Sequence, residues 1–238
     1  CKAAELPGVI NSRGLKLGVA EGVYVHRYGD VYESGREDLL EHVPLNAEKI
    51  LDVGCAKGRF GEILKKRQKC AVTGIDTDAE LLSVARGRLD KVIHGDIQDA
   101  IGNGLPELYD CIVCGDLIEH LNDPWKVLKG LSDCLRENGL LIASTPNIAN
   151  WAILYEMMRG KWDYVPFSIL SGTHIRFFTR KTFVELFEDT GYKVKEVILQ
   201  SFEIPPRGVQ FIAGIKGMSE VSEEELRASE IVIVAERY

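Results

Sequence analysis

This 238-residue chain has no apolar run near the roughly 18 residues that a membrane-spanning helix needs, so none is predicted. Its N-terminal stretch, CKAAELPGVINSRG, lacks the apolar segment of a secretory signal. The chain begins at Cys1 rather than at a methionine, so the sequence leaves open whether a leader precedes it. A surplus of basic residues is also missing, since 29 Lys and Arg stand against 36 Asp and Glu. The resulting net charge of −7 argues against duplex nucleic acid as a partner.

Six cysteines are present, but no second Cys or His pair completes a four-ligand zinc site around the CxxC of Cys111 and Cys114. These two residues lie in an apolar run that predicts a buried strand, where positions i and i+3 point to opposite faces. We therefore expect both to be core residues with free thiols. Scattered, buried cysteines suit a reducing cytoplasm, which is the predicted location.

The apolar content of 45 % and the mixed charges exclude a disordered chain. Short apolar runs predict five strands in the first two thirds of the chain, at Lys49–Gly54, Ala71–Ile75, Lys91–His94, Tyr109–Cys114 and Leu140–Ser144. Amphipathic stretches between them predict helices over Arg59–Gln68, after the capping residue Asp78, and from Pro124, with Gly139 closing the last one in the left-handed conformation. This alternation is typical of a parallel sheet covered by helices on both faces.

The pattern changes after Pro146. Residues 147–178 contain seven of the nineteen aromatic residues, namely Trp151, Tyr155, Trp162, Tyr164, Phe167, Phe177 and Phe178. A helix capped by Thr179 and ended by Gly191 follows, then a strand over Val194–Leu199. An irregular connection with one short helix, capped by the Ser222/Glu225 box, leads to a last strand over Glu230–Ala235. Because no full helical crossover precedes that strand, we expect it to return antiparallel at the sheet edge.

Upstream, a capping box of Ser34 and Glu37 predicts a helix that buries Leu39, Leu40 and Val43. The predicted architecture is an α/β, Rossmann-like, doubly wound seven-stranded sheet, mostly parallel with an antiparallel last strand. Its predicted parts are an N-terminal helical cap segment over residues 1–45 and a main domain over residues 46–238 with the aromatic-rich insert at 147–178.

Glycines and acids follow the predicted strands, where open α/β sheets bind ligands. Gly54 permits a tight turn and Gly58 a close approach of backbone to a ligand. The dinucleotide pattern G-x-G-x-x-G fails at Ala56 and Arg59, which disfavours a nicotinamide-dependent oxidoreductase. The strand-end acids are Asp76, Asp96 and Asp116. Each alone is commonly a helix cap, but together they outline a nucleoside-sized cleft.

The successive segments ILDVGCAKGRFGEIL, VTGIDTD, VIHGDIQD and YDCIVCGDLIEHLNDPWKVLKGLSDCLRENGLLIASTPN resemble the motifs of class I S-adenosylmethionine-dependent methyltransferases. The block PNIANWAILYEMMRGKWDYVPFSILSGTHIRFFT resembles a bacterial branch associated with sugar and polysaccharide biosynthesis. One departure is Ala56, where the family usually has the third residue of GxGxG as glycine.

The resemblance implies S-adenosylmethionine as the cofactor. It places Asp52, Gly54, Ala56 and Gly58 at the methionine end, Asp76 at the ribose, Asp96 and Ile97 at the adenine, and Asp116 and Leu117 beside the sulfonium. Cys55 and Thr77 are also predicted to bind the cofactor. It implies an enzyme that moves a methyl group by in-line displacement to a small-molecule or carbohydrate hydroxyl, which makes an O-methyltransferase the leading hypothesis.

A hydroxyl acceptor must lose its proton, and His174 and His120 are the candidate bases. A divalent metal on Asp116, Glu119 and His120 is not expected, because the neighbouring Glu119 and His120 should diverge on a helix. Tyr28, Tyr32 and Arg36 are candidates to close the other side of the cleft. A catalytically weak, methyltransferase-like interaction protein remains an alternative. The acceptor, the methylated atom and the oligomeric state are left open.

Overall fold

The computed structural model of the protein describes Glu33 and residues 35–238, except residues 106, 166 and 219. Its described strands, in chain order, are β1 (Lys49–Val53), β2 (Ala71–Asp76), β3 (Lys91–His94), β4 (Tyr109–Cys114), β5 (Leu135–Pro146), β6 (Tyr192–Ser201) and β7 (Ala228–Arg237). They form one seven-stranded sheet in the order β3-β2-β1-β4-β5-β7-β6. The predicted α/β fold class is therefore confirmed.

Helices connect the strands and cover both faces of the sheet. They are α1 (Glu37–Leu40), α2 (Arg59–Arg67), α3 (Ala79–Ala85), α4 (Ile97–Asn103), α5 (Pro124–Ser132), α6 (Trp151–Met158), α7 (Arg180–Asp189), α8 (Pro206–Ile215) and α9 (Glu223–Arg227). A 3-10 turn over Ile118–His120 follows β4. The capping residues predicted for α3, α7 and α9 are confirmed, because Asp78, Thr179 and Ser222 each accept a hydrogen bond from the first turn of their helix.

Strands β1 to β5 pair in parallel, and β7 runs antiparallel to both β5 and β6. The predicted antiparallel direction of β7 is confirmed, but its predicted place at the edge is wrong. β7 lies between its two partners, and β6 forms the edge. The connection between them folds into α8 and α9 without crossing the sheet, so the chain returns beside β6 in the opposite direction.

Alternate residues of the central strands enter two separate cores. Leu51 packs with α5 and α7 on one face, while its neighbour Ile50 packs with α2 and α3 on the other. Cys111 and Cys114 divide in the same way, which confirms that the two thiols of the CxxC point to opposite faces. Both are fully buried, and burial raises the pKa of each thiol.

Two elements differ from the sequence prediction after β4. Helix α5 ends at Ser132, and Gly139 lies inside β5 rather than at a helix end. The left-handed residue there is Asn138, with φ of 62°. Leu135 already pairs with Tyr109, so the strand begins five residues earlier than the predicted Leu140.

Helix α8 replaces most of the connection that was predicted to be irregular. Its Pro206 occupies the first turn, where the missing N–H costs nothing. The helix packs against α6 of the aromatic insert, and Ile212 and Leu226 bury the indole of Trp151. Part of the insert therefore forms a small hydrophobic core with α8 and α9, separate from the two cores of the sheet.

At the N-terminal side, α1 begins at Glu37 with Arg36 as its N-cap residue, and it is shorter than predicted. Ser34 lies outside the described residues. The predicted burial of Leu39 and Val43 is confirmed, since both enter the core shared by β1 and α2. The boundary between residues 45 and 46 stays a prediction.

Candidate active site

A cleft of about 1130 Å³ opens at the carboxyl ends of the parallel strands, where the loops after β1, β2, β3 and β4 meet. Segment 33–39 and the aromatic insert form its remaining walls. The lining includes ten of the predicted cofactor residues: Asp52, Gly54, Cys55, Ala56, Asp76, Thr77, Asp96, Ile97, Asp116 and Leu117. Both predicted catalytic residues, His120 and His174, line it as well.

Gly58 is the predicted cofactor residue that does not line the cleft. Its backbone has a φ of 74°, which favours glycine. A Cβ there would stand 3.0 Å from Leu89 and 3.2 Å from Ala85. The absence of a side chain at Gly58 therefore lets the loop after β1 pack closely against Ala85 of α3 and Leu89 in the turn after α3.

The loop after β1 is held to β2 by its backbone. The N–H groups of Gly54 and Cys55 both donate to the carbonyl of Ile75, at 2.8 and 3.1 Å. Ala56 has a left-handed φ of 45°, a backbone conformation that favours glycine. The loop is thus preorganised before any ligand enters.

The two acids after β2 and β3 have different environments. Asp76 accepts the backbone N–H of Ala56 on one oxygen and that of Asp78 on the other, both at 2.9 Å. Asp96 accepts the N–H of Gln98 at 2.7 Å and is the N-cap of α4. The helix-cap interpretation is therefore confirmed for Asp96, although its side chain also faces the cleft.

Asp52 is a buried carboxylate on β1, with 6 % of its surface exposed. Its Oδ2 has no hydrogen-bond partner among the described residues. Burial, reinforced by the negative charge of Asp76, raises the pKa of Asp52 to about 7, and Arg36 partly opposes this rise. A positively charged ligand in the cleft would relieve this cost.

Arg36 joins the N-terminal segment to the ends of β4 and β5. Its guanidinium donates to Asp116 at 2.7 Å and to the hydroxyl of Ser144 at 2.9 Å. Ser144 in turn donates to Asp116 at 2.8 Å and accepts its backbone N–H at 3.0 Å. These bonds hold Asp116 in a left-handed conformation with φ of 48°.

The same guanidinium pairs with Glu230 of β7 and, at 2.7 Å, with Asp38. Three carboxylates therefore share one Arg36. Burial and the charge of Asp116 raise the pKa of Glu230 to about 8. For Asp116, desolvation is outweighed by Arg36 and Ser144, so its pKa is lowered and it carries the negative charge.

On the other side of Asp116, three side chains converge. The candidate ligand atoms of Glu119, His120 and His174 all lie within 4.8 Å of one another. The expectation that Glu119 and His120 diverge is wrong. They sit in a 3-10 turn, and the carbonyl of Thr173 draws the His120 ring towards the insert by accepting its Nδ1–H at 3.0 Å. The backbone N–H groups of Ile175 and Arg176 donate to the carbonyl of Glu119, which brings His174 alongside.

A family model described as a methyltransferase domain matches residues 24–197. Among similar proteins, a ubiquinone biosynthesis O-methyltransferase of Stutzerimonas stutzeri is 30 % identical over 66 % of this chain and 70 % of its own length. One of Xylella fastidiosa is 34 % identical over 57 % of this chain and 56 % of its own length. The chain belongs to the S-adenosylmethionine-dependent methyltransferases.

Solved methyltransferases share the fold. One from Archaeoglobus fulgidus superposes with a TM-score of 0.61 at 15 % identity, covering 84 % of this chain and 92 % of its own. A possible histamine N-methyltransferase from Thermotoga maritima has a TM-score of 0.59 at 20 % identity, with coverages of 87 % and 89 %.

The cofactor of this methyltransferase is S-adenosylmethionine, and the cleft fits it. The cofactor carries a positive sulfonium and amino group, and the acids that line the cleft are Asp52, Asp76, Asp96 and Asp116. The unpartnered oxygen of Asp52 is of the type that a cation satisfies.

Sequence reasoning missed several residues of this methyltransferase site. Ser144 and Thr145 follow the apolar run of β5 and Glu230 precedes that of β7, so the available signal was a polar residue at the boundary of an apolar run. Arg36 is in the cleft wall, as was suggested from its position. Tyr28 and Tyr32 lie outside the described residues. Within the part of the chain that the structure describes, no helix is both long and apolar enough to cross a membrane.

Proposed function

We propose that this methyltransferase transfers a methyl group from S-adenosylmethionine to a hydroxyl oxygen of a small molecule. The observation that carries the proposal is the lining of one cleft. It includes the strand-end acids, which we assign to a cofactor end, and the cluster of Glu119, His120 and His174, which we assign to an acceptor end. The relatives named as O-methyltransferases support oxygen as the acceptor atom.

At the first end, the loop around Gly54 and Ala56 borders the methionine part, and Asp76 with Thr77 borders the ribose. Asp96 and Ile97 border the adenine. Asp116 and Leu117 lie beside the sulfonium. The side chain of Asp76 is well restrained, because two backbone N–H groups already fix its orientation. A fixed carboxylate binds two ribose hydroxyls without losing further side-chain entropy.

The cofactor supplies an activated methyl group: the acceptor oxygen forms the new C–O bond while the C–S bond breaks and its electron pair stays on sulfur. The chain's own task is to align the acceptor, exclude water and remove the hydroxyl proton. His120 and His174 are our candidates to act on that proton. Burial lowers the pKa of both imidazoles, that of His174 to about 4, so both are neutral at pH 7.

The acceptor pocket is formed in part by the insert, whose Phe167 and Ile169 give it an apolar wall. This wall favours a compact acceptor with a flat apolar face. A carbohydrate acceptor is the second candidate, because the hydroxyl and amide groups of Ser171, Asn150 and Gln200 line the same region. The free cysteines among the described residues suit a reaction in the cytoplasm.

Calorimetry with S-adenosylhomocysteine tests the cofactor half of the proposal. We expect one site per chain, and no binding at millimolar ligand would contradict it. The acceptor half is tested by incubating the full chain and S-adenosylmethionine with phenols, nucleotide sugars and primary amines. Release of S-adenosylhomocysteine and the NMR signal of a new O–CH₃ group are measured. Turnover restricted to amines would overturn the assignment to oxygen.

A further inference from the structure

Glu119 keeps one carboxyl oxygen without a partner beside the cleft. Its side chain is 1 % exposed, and its Oε2 accepts a hydrogen bond of 3.2 Å from the hydroxyl of Thr145. Its Oε1 is buried without a hydrogen-bond partner among the described residues. That oxygen lies 3.9 Å from the Nε2 of His174, which is too long for a direct hydrogen bond. Because an unsatisfied buried polar atom costs free energy, we expect a bound molecule to donate to Oε1.

His174 presents a second acceptor atom to the same gap. Its side chain is 9 % exposed, and its Nδ1 lies 3.0 Å from the carbonyl oxygen of Ile169. A carbonyl oxygen only accepts hydrogen bonds, so Nδ1 carries the proton and Nε2 has a lone pair. One nitrogen that bears several N–H groups, placed about 2.9 Å from each atom, donates to both Oε1 and Nε2. The gap between the two side chains therefore fits an amino group.

The charge of the cleft favours the protonated form of that amino group. Among the described residues, the lining contains ten acidic residues and two basic ones, Arg36 and Arg59. Arg36 pairs with Asp116 and Arg59 pairs with Glu62, both at 2.7 Å, so each guanidinium is already engaged by a carboxylate. Burial and the negative charge of Asp116 raise the pKa of Glu119. A positive charge in the gap would stabilise the ionised form of Glu119, whereas a negative charge there would be repelled.

We propose that the methyl acceptor is a small hydroxyl compound that also carries an ammonium group, and that this group binds between Glu119 and His174. The inference rests on the proposed O-methyl transfer and names the class of its acceptor. The ammonium donates to the Oε1 of Glu119 and to the Nε2 of His174, and hydrogen bonds between charged groups are the stronger kind. Acceptors that carry a phosphate or a carboxylate, nucleotide sugars included, are disfavoured by the acidic lining.

His120 is then left to act on the hydroxyl. Its Nδ1 lies 3.0 Å from the carbonyl oxygen of Thr173, so its Nε2 also has a lone pair. The ring centroids of His120 and His174 are 4.8 Å apart. An acceptor whose hydroxyl and amino groups stand on neighbouring carbon atoms therefore reaches both imidazoles. The hydroxyl proton passes to the Nε2 of His120 as the C–O bond forms, and the ammonium keeps its protons.

The test compares probes of similar shape and different charge. The first series is phenylethanolamine, phenylethylene glycol and mandelate, and the second is glucosamine, glucose and glucuronate. Calorimetry measures their binding at neutral pH to the full chain saturated with S-adenosylhomocysteine. In at least one series we expect the ammonium compound to bind about 10-fold more tightly than the neutral one, and the anion to bind more weakly than both. The series that shows this preference distinguishes an aromatic acceptor from a sugar.

Two variants remove the two acceptor groups. Glu119→Gln keeps an oxygen that can accept the hydrogen bond of Thr145 but removes the charge, and His174→Gln removes the imidazole. Each should bring the affinities for the ammonium and neutral probes to within about twofold of each other. The matched control is Glu185→Gln, which neutralises an exposed acid of α7 outside the cleft lining and should keep the preference. Unchanged affinity for S-adenosylhomocysteine shows that each variant is folded.

Turnover separates the roles of the two histidines. His174→Gln should raise the KM of the ammonium acceptor with little change of kcat, because the variant loses a binding contact. His120→Gln should lower kcat, because it loses the group that takes the proton. A fall of kcat at unchanged KM in His174→Gln would contradict the binding role of His174.

The outcomes separate this inference from the proposed function. Equal affinity for the ammonium and neutral probes in both series, or a preference that survives Glu119→Gln and His174→Gln, overturns the ammonium site and leaves the gap to water. Methyl transfer to the hydroxyl of a neutral probe would then leave the proposed function standing. Conversely, a preference that both variants abolish, together with methylation on nitrogen alone, keeps the site and rejects the hydroxyl acceptor.

Discussion

The carboxylate of Asp76, at the end of β2, accepts the backbone N–H of Ala56 in the loop after β1 at a distance of 2.9 Å. Its second oxygen accepts the N–H of Asp78, which caps α3. One side chain therefore fixes the loops at both sides of the cleft entrance. The same side chain is our candidate for the ribose contact, so loop order and cofactor affinity should change together.

Replacing Asp76 by Asn removes the charge and one of the two acceptor oxygens. We expect the affinity for S-adenosylhomocysteine to fall about 10-fold or more, since hydrogen bonds to a charged group contribute about 1.5–3 kcal/mol. Calorimetry measures the change. The control is Asp99→Asn, an exposed acid on α4 outside the cleft lining, whose replacement should leave the affinity unchanged. Equal effects of the two substitutions would contradict the role of Asp76.

Ala56 is a non-glycine residue with a φ of 45°. Ala56→Gly should raise the free energy of unfolding by up to about 1 kcal/mol, because relief of left-handed strain exceeds the entropy that glycine adds to the unfolded chain. Urea denaturation measures it. The same substitution in a helix, Ala213→Gly on the exposed side of α8, should lower the stability by about 0.5–1 kcal/mol. A loss of stability at both positions would show that the loop carries no strain at Ala56.

The buried Asp52, whose pKa is raised to about 7, makes the free energy of unfolding of the unliganded protein depend on pH. A carboxyl whose folded pKa is raised binds more protons in the folded state than in the unfolded state. Its contribution to stability therefore falls as the pH rises from about 4 to about 7, and then levels off. Asp52→Asn removes this fall. The variant should gain roughly 3 kcal/mol relative to wild type between pH 5 and pH 8.

Asp110 provides a contrast for that experiment. It accepts the N–H of Lys49 at 2.8 Å and pairs with Arg136 at 2.7 Å, and these contacts outweigh desolvation and lower its pKa. Its contribution is present at neutral pH and is lost in acid, so Asp110→Asn should be destabilising at pH 7 and less so at pH 3. Urea denaturation measures the free energy of unfolding of wild type and both variants at each pH. The difference between variant and wild type should rise with pH for Asp52→Asn and fall with pH for Asp110→Asn.

Gly74, in the middle of β2, leaves no room for a side chain. A Cβ there would stand 2.5 Å from Leu89 and 2.6 Å from the sulfur of Cys55. Gly74→Ala should lower the free energy of unfolding by about 1–3 kcal/mol and disturb the loop after β1. At Gly87 the nearest atom would be 3.5 Å away, so Gly87→Ala should be neutral or slightly stabilising. Thermal unfolding of the two variants measures both changes. A similar loss of stability in both would show that steric crowding at Gly74 is not the cause.

Sequence reasoning located β1 to β4 closely, because each is an apolar run bounded by a glycine or an acid, and such runs need no distant information. It failed where two signals competed. Gly139 looked like a helix end, but Leu135 pairs with Tyr109 and draws the chain into β5. The connection before the last strand was predicted to be irregular apart from one short helix, but Pro206 starts the second helix, α8, within it.

The candidate site divides in the same way. Its strand-end acids could be predicted, since parallel strands bring their ends to one edge. The approach of His174 to Glu119 could not, because it depends on how the insert folds and on two backbone hydrogen bonds to the Glu119 carbonyl. The orientation of His120 likewise follows from a carbonyl more than fifty residues away in sequence.

The position of β7 between β5 and β6 has a consequence for biosynthesis. As the ribosome releases the chain, β6 appears before its only bonding neighbour in the described sheet, so its backbone groups stay unpaired until Ala228–Arg237 emerge. The side of β5 that pairs with β7 also stays unpaired until Ala228–Arg237 emerge. During that interval the nascent chain exposes unpaired strand edges at β5 and β6, which are the kind of edge that promotes association with other chains until β7 pairs with both.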